Sequence, residues 1–349
     1  MSHSILLTGA SGYLGGSLLT HLHIHRNDLP AHKAIYALVR THEQAEAVQK
    51  FGVKPLFLNL KDEAAVTESI VDTKITIVYF LIDAIQSDAQ LILLKALGKV
   101  KQETGQEVHF LHTSGAKIFS QHAGFPTDRT ISDADPELYD ISKTVTPPHE
   151  IMKVAVKTNQ DIIDTAEKYG VRSYIFAPCI VYGESDGFGN KISIQTTAIV
   201  KAAKGAGAVY DVNPEDYTWP VCHISDNTSL YLRLLKEILS GGELGYGKSG
   251  YYLASSGSVA WRDIYAAMAK ALQKRGVVRS SEVRKADDSA LKKLSETLGC
   301  PKELVAVQIG GKCTFKTDRA NMLGWKAEHT ADHILDAVDA EVELILSQI

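Results

Sequence analysis

The stretch Ile5-Leu-Leu-Thr-Gly-Ala-Ser-Gly-Tyr-Leu-Gly-Gly16 is the most informative part of the sequence. Its first three residues form a short apolar run typical of a buried strand, and the residues from Tyr13 onward have the apolar spacing of a helix. Gly9, Gly12 and Gly15 lie between and just inside these two elements. Such glycines permit a tight turn, let backbone approach a pyrophosphate, and let helix and strand pack closely. The stretch therefore predicts a dinucleotide-binding turn, with the pyrophosphate at the helix N-terminus.

Beyond this turn, short apolar runs alternate with amphipathic stretches, a pattern typical of βαβ units. Strands are predicted at Ser4–Thr8, Ala34–Val39, Lys54–Asn59, Ile75–Leu81, Glu107–Thr113 and Arg172–Ala177. Helices are predicted between them at Tyr13–His25, His42–Phe51, Asp62–Val71, Ser87–Glu103 and His149–Tyr169. The predicted fold class is therefore α/β, a doubly wound parallel sheet of the Rossmann type.

The second half of the chain predicts a smaller lobe of mixed α and β structure. Its helices are expected at Ile194–Lys204, Asn227–Leu239, Trp261–Lys274, Asp288–Thr297 and Ala331–Ser347. We place the dinucleotide-binding domain at residues 1–180 and the substrate lobe at 181–349, with a possible return of the chain to the first domain around 210–240. A polar, proline-containing stretch from Phe119 to Pro148 is long for a loop, which favours a functional loop or lid.

Composition narrows the function classes. The 349 residues carry 37 Lys+Arg against 41 Asp+Glu, a net charge of −4, which argues against nucleic acid or an anionic membrane as a partner. No apolar run reaches the length of a membrane helix. Four widely spaced cysteines form no metal-binding motif and favour a reducing compartment, so we expect a cytoplasmic protein without a metal.

The end of the second predicted strand bears on the choice of cofactor. An acidic residue there would accept a hydrogen bond from the ribose 2′-hydroxyl of NAD, whereas a basic residue suits the 2′-phosphate of NADP. The strand ends at Arg40. This residue favours NADP over NAD, although it could also be a solvated charge at a strand end.

At this point the sequence resembles the short-chain dehydrogenase/reductase superfamily, in its extended branch of epimerases, dehydratases and reductases. The resemblance covers nearly the whole chain and rests on five motifs in family order. They are Thr8-Gly-Ala-Ser-Gly-Tyr-Leu-Gly15, His112-Thr-Ser-Gly115, Pro178-Cys-Ile-Val-Tyr-Gly183, Val221-Cys-His-Ile-Ser-Asp226 and Asp318-Arg-Ala-Asn-Met-Leu-Gly-Trp325.

The resemblance implies a catalytic Tyr-x-x-x-Lys pair with a serine, Ser114, that contacts substrate. One register places the pair at Tyr139 and Lys143, with Tyr139 following Ser114 by 25 residues. Pro147 and Pro148 lie directly behind that pair and would interrupt its helix.

A second register places the lysine at Lys157 on the helix His149–Tyr169, where Lys157 precedes Pro178 by 21 residues. We prefer this register, although its tyrosine position is then Lys153. The usual proton donor would be missing, and Tyr139 would have to supply a phenol from the preceding loop or be a surface aromatic residue. The expected catalytic set is Ser114, Tyr139 and Lys157.

These inferences combine into one expected function. We expect an atypical NADP-dependent oxidoreductase that moves hydride to or from a carbonyl or alcohol carbon of a small organic metabolite. A homodimer and a monomer are both compatible with the sequence. A non-catalytic NADP-binding regulator and a nucleotide-sugar epimerase or dehydratase are the alternatives. The expected cofactor contacts are Gly9, Ser11, Gly12, Tyr13, Leu14, Arg40, Asn59, Leu60, Leu81, Lys157 and Pro178.

Overall fold

The computed structural model describes residues 2–349 and contains 14 strands and 13 α-helices in that range. The strands are β1 (Ser4–Leu7), β2 (Ala34–Val39), β3 (Lys54–Phe57), β4 (Ile75–Phe80), β5 (His109–Thr113), β6 (Ile131–Ser132), β7 (Arg172–Ala177), β8 (Ile180–Tyr182), β9 (Tyr210–Asp211), β10 (Thr218–His223), β11 (Tyr251–Leu253), β12 (Gly257–Ala260), β13 (Arg284–Lys285) and β14 (Phe315–Lys316). The helices are α1 (Tyr13–Ile24), α2 (His42–Gln49), α3 (Glu63–Thr73), α4 (Asp88–Thr104), α5 (Leu138–Thr144), α6 (Glu150–Tyr169), α7 (Gln195–Ala206), α8 (Ile224–Leu239), α9 (Trp261–Lys274), α10 (Asp288–Leu298), α11 (Val305–Ile309), α12 (Asp318–Met322) and α13 (His333–Gln348).

A central sheet of seven strands organises the molecule, in the order β11-β7-β5-β4-β1-β2-β3. Every pair of neighbours in it is parallel. The order reverses between β1 and β4, and in doubly wound sheets ligands bind outside the carboxyl ends of the strands at such a reversal. The predicted fold class is confirmed.

The six predicted strands are all present in this sheet, and sequence analysis missed a seventh. β11 has only three residues, too few to show a periodic pattern, and it joins the sheet by pairing with β7. It lies beyond residue 180, so the second half of the chain completes the sheet of the first. The domain boundary itself remains a prediction.

Helix α8 also returns to the sheet and packs against its α1 side. The ring of Tyr231 on this helix stacks on Phe176 of β7, with centroids 3.7 Å apart. Its hydroxyl lies 2.7 Å from Thr113 Oγ1. These contacts bury the carboxyl half of β5 and β7 and fix the strand ends that carry Ser114 and Pro178.

The segment from Phe119 to Pro148 is not the irregular loop that the sequence predicted. It contains the short strand β6 and the helix α5, joined by turns. Pro147 and Pro148 do separate α5 from α6, because a proline lacks the amide that would continue the helix. No helix among residues 2–349 is both long and apolar enough to cross a membrane.

Gly15 offers a test of the turn that decides the fold. A Cβ on Gly15 would lie 2.1 Å from the carbonyl oxygen of Gly9, so Gly15→Ala must displace α1 from β1. We expect the free energy of unfolding to fall by about 2 kcal/mol or more, measured by urea denaturation. Gly115→Ala is the matched control, since a Cβ there meets no atom within 4 Å and its φ is −173°. A Gly15→Ala variant as stable as the control would contradict the close contact.

Candidate functional site

The glycine turn leaves backbone donors free at the start of α1. Gly9 has φ +74°, and its carbonyl accepts from the Gly12 amide at 2.8 Å. The amides of Tyr13, Leu14 and Gly15 have no partner inside the helix, as in any helix start. Within residues 2–349 no side chain caps this end, and no acidic residue lies in its first turn. These features suit an anion such as a pyrophosphate.

A cavity of about 450 Å³ extends from this helix start along the carboxyl edge of the sheet. It brings together six of the predicted site residues, which are Gly12, Tyr13, Leu14, Leu81, Ser114 and Pro178. Its walls are mainly aliphatic and include Ile85, Ile118, Met152, Ala155, Val181, Leu304 and Val307. None of the described residues that line it is Asp or Glu.

The predicted contacts for the adenosine half lie beside the cavity, at the ends of β2 and β3. The Arg40 amide donates to Gln44 Oε1 at 2.8 Å, and Gln44 Nε2 donates to Ser11 Oγ at 3.3 Å. Arg40 is exposed and makes no ion pair with any of residues 2–349. The Arg40 guanidinium is therefore available to a ligand that binds next to the glycine turn. Asn59 and Leu60 follow β3 at the same edge of the sheet.

Residues 183–193, here called the strap, cover the outer side of the glycine turn. The Asn190 amide donates to the Ser11 carbonyl at 2.9 Å, and Ser185 Oγ donates to the Tyr13 carbonyl at 2.9 Å. A Cβ on Gly187 would lie 2.4 Å from Gly16 Cα, so the two chains touch through their backbones. Tyr13 donates its hydroxyl to the Gly183 carbonyl at 2.7 Å. The strap therefore restricts access to the turn from this side.

A buried carboxylate holds both ends of the strap. Glu341 of α13 accepts from the Gly183 amide at 2.8 Å and from Thr196 Oγ1, just beyond the strap, at 2.7 Å. Burial raises the pKa of this carboxyl, and hydrogen bonds from Thr196, Gly183 and Ser193 oppose that effect. The sequence offered no signal for this contact.

Helix α6 does not present Lys157 to the cavity, unlike the arrangement expected from the sequence. The cavity face of α6 consists of Ile151, Met152 and Ala155. Lys157 pairs with Asp161 at 2.5 Å and is 69% exposed. At about 100° per residue, Lys157 lies on nearly the opposite side of the helix from Ala155. The positions that face the cavity thus carry neither a tyrosine nor a lysine.

Tyr139 lies on α5 rather than on a loop, and it is directed away from the cavity. Its hydroxyl donates to Asp164 Oδ1, while Lys143 Nζ donates to Asp164 Oδ2 at 3.0 Å. Asp164 is about 14 Å along α6 from Ala155. Burial and the Asp164 carboxylate raise the pKa of Tyr139. The structure therefore gives Tyr139 and Lys143 a role in fixing α5 to α6, and it does not unite Ser114, Tyr139 and Lys157.

Ser114 does lie in the cavity, directly after β5. Its amide donates to the Phe176 carbonyl at 2.7 Å, which fixes the residue at the strand end. Its hydroxyl is buried and has no hydrogen-bond partner among residues 2–349. A buried hydroxyl without a partner is costly, so a ligand oxygen at this position would be stabilised.

Sequence analysis missed Lys117, three residues after Ser114. It lines the cavity from the 3₁₀ turn Ala116–Phe119 and makes no ion pair or side-chain hydrogen bond with any of residues 2–349. Burial lowers its pKa to about 8, and Cys300 has a smaller opposite effect. A lone lysine in the apolar run Gly115-Ala-Lys-Ile-Phe119 was the available signal.

Comparison with known proteins identifies relatives of this arrangement. A sequence model of the NAD dependent epimerase/dehydratase family matches residues 5–245. No curated protein sequence gives a significant match.

Solved structures of similar fold span the whole chain. A UDP-glucose 4-epimerase from Thermotoga maritima is 14% identical, with a TM-score of 0.62 and 99% of each chain covered. A UDP-glucose 4-epimerase from Thermus thermophilus, solved with NAD, is 12% identical, with a TM-score of 0.62, covering 99% of this chain and 100% of its own. A monomeric L-threonine 3-dehydrogenase from a metagenome is 17% identical, with a TM-score of 0.60, covering 98% of this chain and 99% of its own. At these identities the similarity concerns the fold.

The unpaired lysine leads to a prediction about stability. A lysine whose pKa is lower in the folded chain than in the unfolded chain lowers the free energy of unfolding at any pH where the amine is protonated in both chains. For Lys117 this condition holds below about pH 8. We expect Lys117→Met to raise the free energy of unfolding at pH 7 by about 1 to 3 kcal/mol. The gain should shrink above pH 8 and vanish near pH ~10.5, where both states are neutral.

Urea denaturation at several pH values measures this difference. Lys153→Met is the control, because Lys153 is exposed and pairs only with Glu150 on the surface of α6. Its effect should stay within about 0.5 kcal/mol at every pH. A Lys117→Met variant that behaves like this control would show that Lys117 is solvated.

The position of Tyr139 gives a second prediction. Tyr139→Phe removes the hydrogen bond to Asp164, so the free energy of unfolding should fall by about 1 kcal/mol. NADPH affinity, measured by fluorescence titration, should stay within twofold of wild type because the phenol lies outside the cavity. A tenfold loss of NADPH affinity at unchanged stability would place Tyr139 in the site instead.

Proposed function

The chain belongs to the NAD-dependent epimerase/dehydratase family, and on that premise we propose that it is an NADP-dependent oxidoreductase acting on a small, largely apolar carbonyl compound or alcohol. One observation carries the proposal. A single aliphatic cavity joins the free amides of the α1 start to the buried hydroxyl of Ser114. That arrangement provides an anion site at one end and a hydrogen-bonding group for a substrate oxygen at the other.

The residues present fit a nicotinamide dinucleotide, which the family binds. The amides of Tyr13, Leu14 and Gly15 would hold the pyrophosphate. Leu81 and Pro178, at the ends of β4 and β7, would flank the nicotinamide half. When bound, the reduced cofactor supplies a hydride to a carbonyl carbon.

Arg40 supports NADP rather than NAD. Its guanidinium has no ion-pair partner among residues 2–349, and its backbone is tied through Gln44 to Ser11 of the glycine turn. A 2′-phosphate at this position would form an ion pair with the guanidinium, whereas a neutral 2′-hydroxyl would not.

Ser114 is the residue that we propose to contact the substrate oxygen. Its buried hydroxyl would donate a hydrogen bond to a carbonyl oxygen and would orient the carbon toward the nicotinamide. The aliphatic walls would exclude water from the same space. Binding, orientation and water exclusion are thus assigned to residues of this chain and the hydride to the cofactor. The proton that the product oxygen needs would come from solvent, relayed through the Ser114 hydroxyl.

A non-catalytic NADP-binding regulator is the second candidate, and a specific observation favours it. The α6 face at the cavity consists of Ile151, Met152 and Ala155, where the family pattern would place tyrosine and lysine. Such a protein would bind NADPH but reduce no carbonyl compound. A nucleotide-sugar epimerase is less well supported, since Lys117 is the single cation among the described residues that line the cavity.

A cytoplasmic location also remains a proposal. The four cysteines are unpaired, and three of them are buried, as in chains that stay in a reducing compartment.

The test is a paired titration of NADPH and NADH, by calorimetry, on wild type and on Arg40→Ala. We expect wild type to bind NADPH at least tenfold more tightly than NADH, a difference of about 1.4 kcal/mol, and Arg40→Ala to remove the preference by weakening NADPH alone. Lys204→Ala, at an exposed cation on α7, should leave both affinities unchanged. Equal affinities in wild type would contradict the NADP assignment, and failure to bind either nucleotide would contradict the proposed function.

A further inference from the structure

Lys117 is a half-buried cation that lines a mainly aliphatic cavity and has no counter-ion among residues 2–349. Moving an ammonium group away from water is costly unless an opposite charge or several hydrogen bonds compensate for it. Neither is present among residues 2–349, because Lys117 makes no ion pair and Nζ makes no hydrogen bond there. A ligand anion would supply the missing partner.

The groups around Lys117 do not supply that charge. Two titratable side chains interact electrostatically with Lys117, those of Cys300 and His122. Burial raises the pKa of the Cys300 thiol and lowers the pKa of His122 to about 4. Both are uncharged at pH 7. No carboxylate lines the cavity in the described chain, so an incoming anion would meet no repulsion there.

The other residues that line the cavity indicate that the rest of the ligand is apolar. The cavity that Lys117 lines is also lined by Ile118, Leu304 and Val307. Two further lining residues are exposed to solvent, Ile151 at 41% and Ile194 at 74%. Exposed aliphatic side chains around a cavity are typical of a binding site for an apolar group.

From these observations we propose that Lys117 binds the carboxylate of a small aliphatic acid whose chain lies against Ile118, Leu304 and Val307. This site would specify the substrate class of the proposed oxidoreductase. It rests on the proposed function in one respect, because the acid would carry its reacting carbonyl or hydroxyl group near Ser114. The substrate class is then an oxo or hydroxy carboxylic acid with an aliphatic body. Binding of the carboxylate itself needs only Lys117 and the cavity.

The experiment compares hexanoate with its neutral analogue hexanamide by calorimetry on the full chain at pH 7. We expect wild type to bind hexanoate at least tenfold more tightly than hexanamide. Lys117→Met should abolish this preference by weakening hexanoate alone, since the methionine preserves the apolar stem. Lys153→Met should bind both compounds as wild type does.

The pH dependence gives an independent readout. Hexanoate is ionised throughout the range from pH 7 to pH 10, whereas Lys117 loses its proton above about pH 8. Hexanoate affinity should therefore fall by about tenfold or more between pH 8 and pH 10, and hexanamide affinity should not change.

The proposal fails if wild type does not bind hexanoate, binds both compounds equally, or if Lys117→Met binds hexanoate as tightly as wild type. NADPH titration of the same preparations separates this failure from that of the proposed function. Normal NADPH binding without a preference for hexanoate would overturn the carboxylate site alone. A Lys117-dependent preference in a protein that binds no nucleotide would overturn the oxidoreductase proposal and leave the carboxylate site standing.

Discussion

The contact between Gly15 and the carbonyl group of Gly9 is the constraint on which the rest of the site depends. With no side chain at Gly15, α1 can start directly against the end of β1, and its free amides then face the edge of the sheet where the strand order reverses. The strap reaches the same place because Gly187 and Gly16 also meet through bare backbone. Three segments of chain thus converge where no side chain would fit.

Two polar groups without a partner among residues 2–349 line the cavity. The Ser114 hydroxyl is buried and the Lys117 side chain is half-buried, and neither has a partner among residues 2–349. Burying a polar or charged group without a partner costs free energy. Proteins retain such groups where a ligand completes the pairing. The apolar face of α6 opposite them implies that any chemistry here uses residues from the β5 end rather than from the helix.

Local features of the site were predictable from the sequence, and long-range ones were not. The glycine turn, the strand that leads to Ser114 and the end of β2 at Arg40 follow from contiguous residues with a physical meaning. Lys157 was expected at the site because its 21-residue separation from Pro178 was given more weight than the apolar stripe through Met152 and Ala155, which fixes the buried face of α6. Lys117 and β11 escaped notice because their burial depends on segments that are distant in sequence.

The carboxylate of Glu341 has a consequence for the order in which the site is assembled during synthesis. The glycine turn and the first strands emerge from the ribosome early, and each can pair as soon as its neighbours have been made. The contacts of the strap with Ser11 and Tyr13 can form once its own residues have been made, whereas its Gly183 amide has no carboxylate acceptor until α13 has been translated. The cover of the glycine turn is therefore placed by early segments of the nascent chain, and its Gly183 end is fixed only when the last helix is complete.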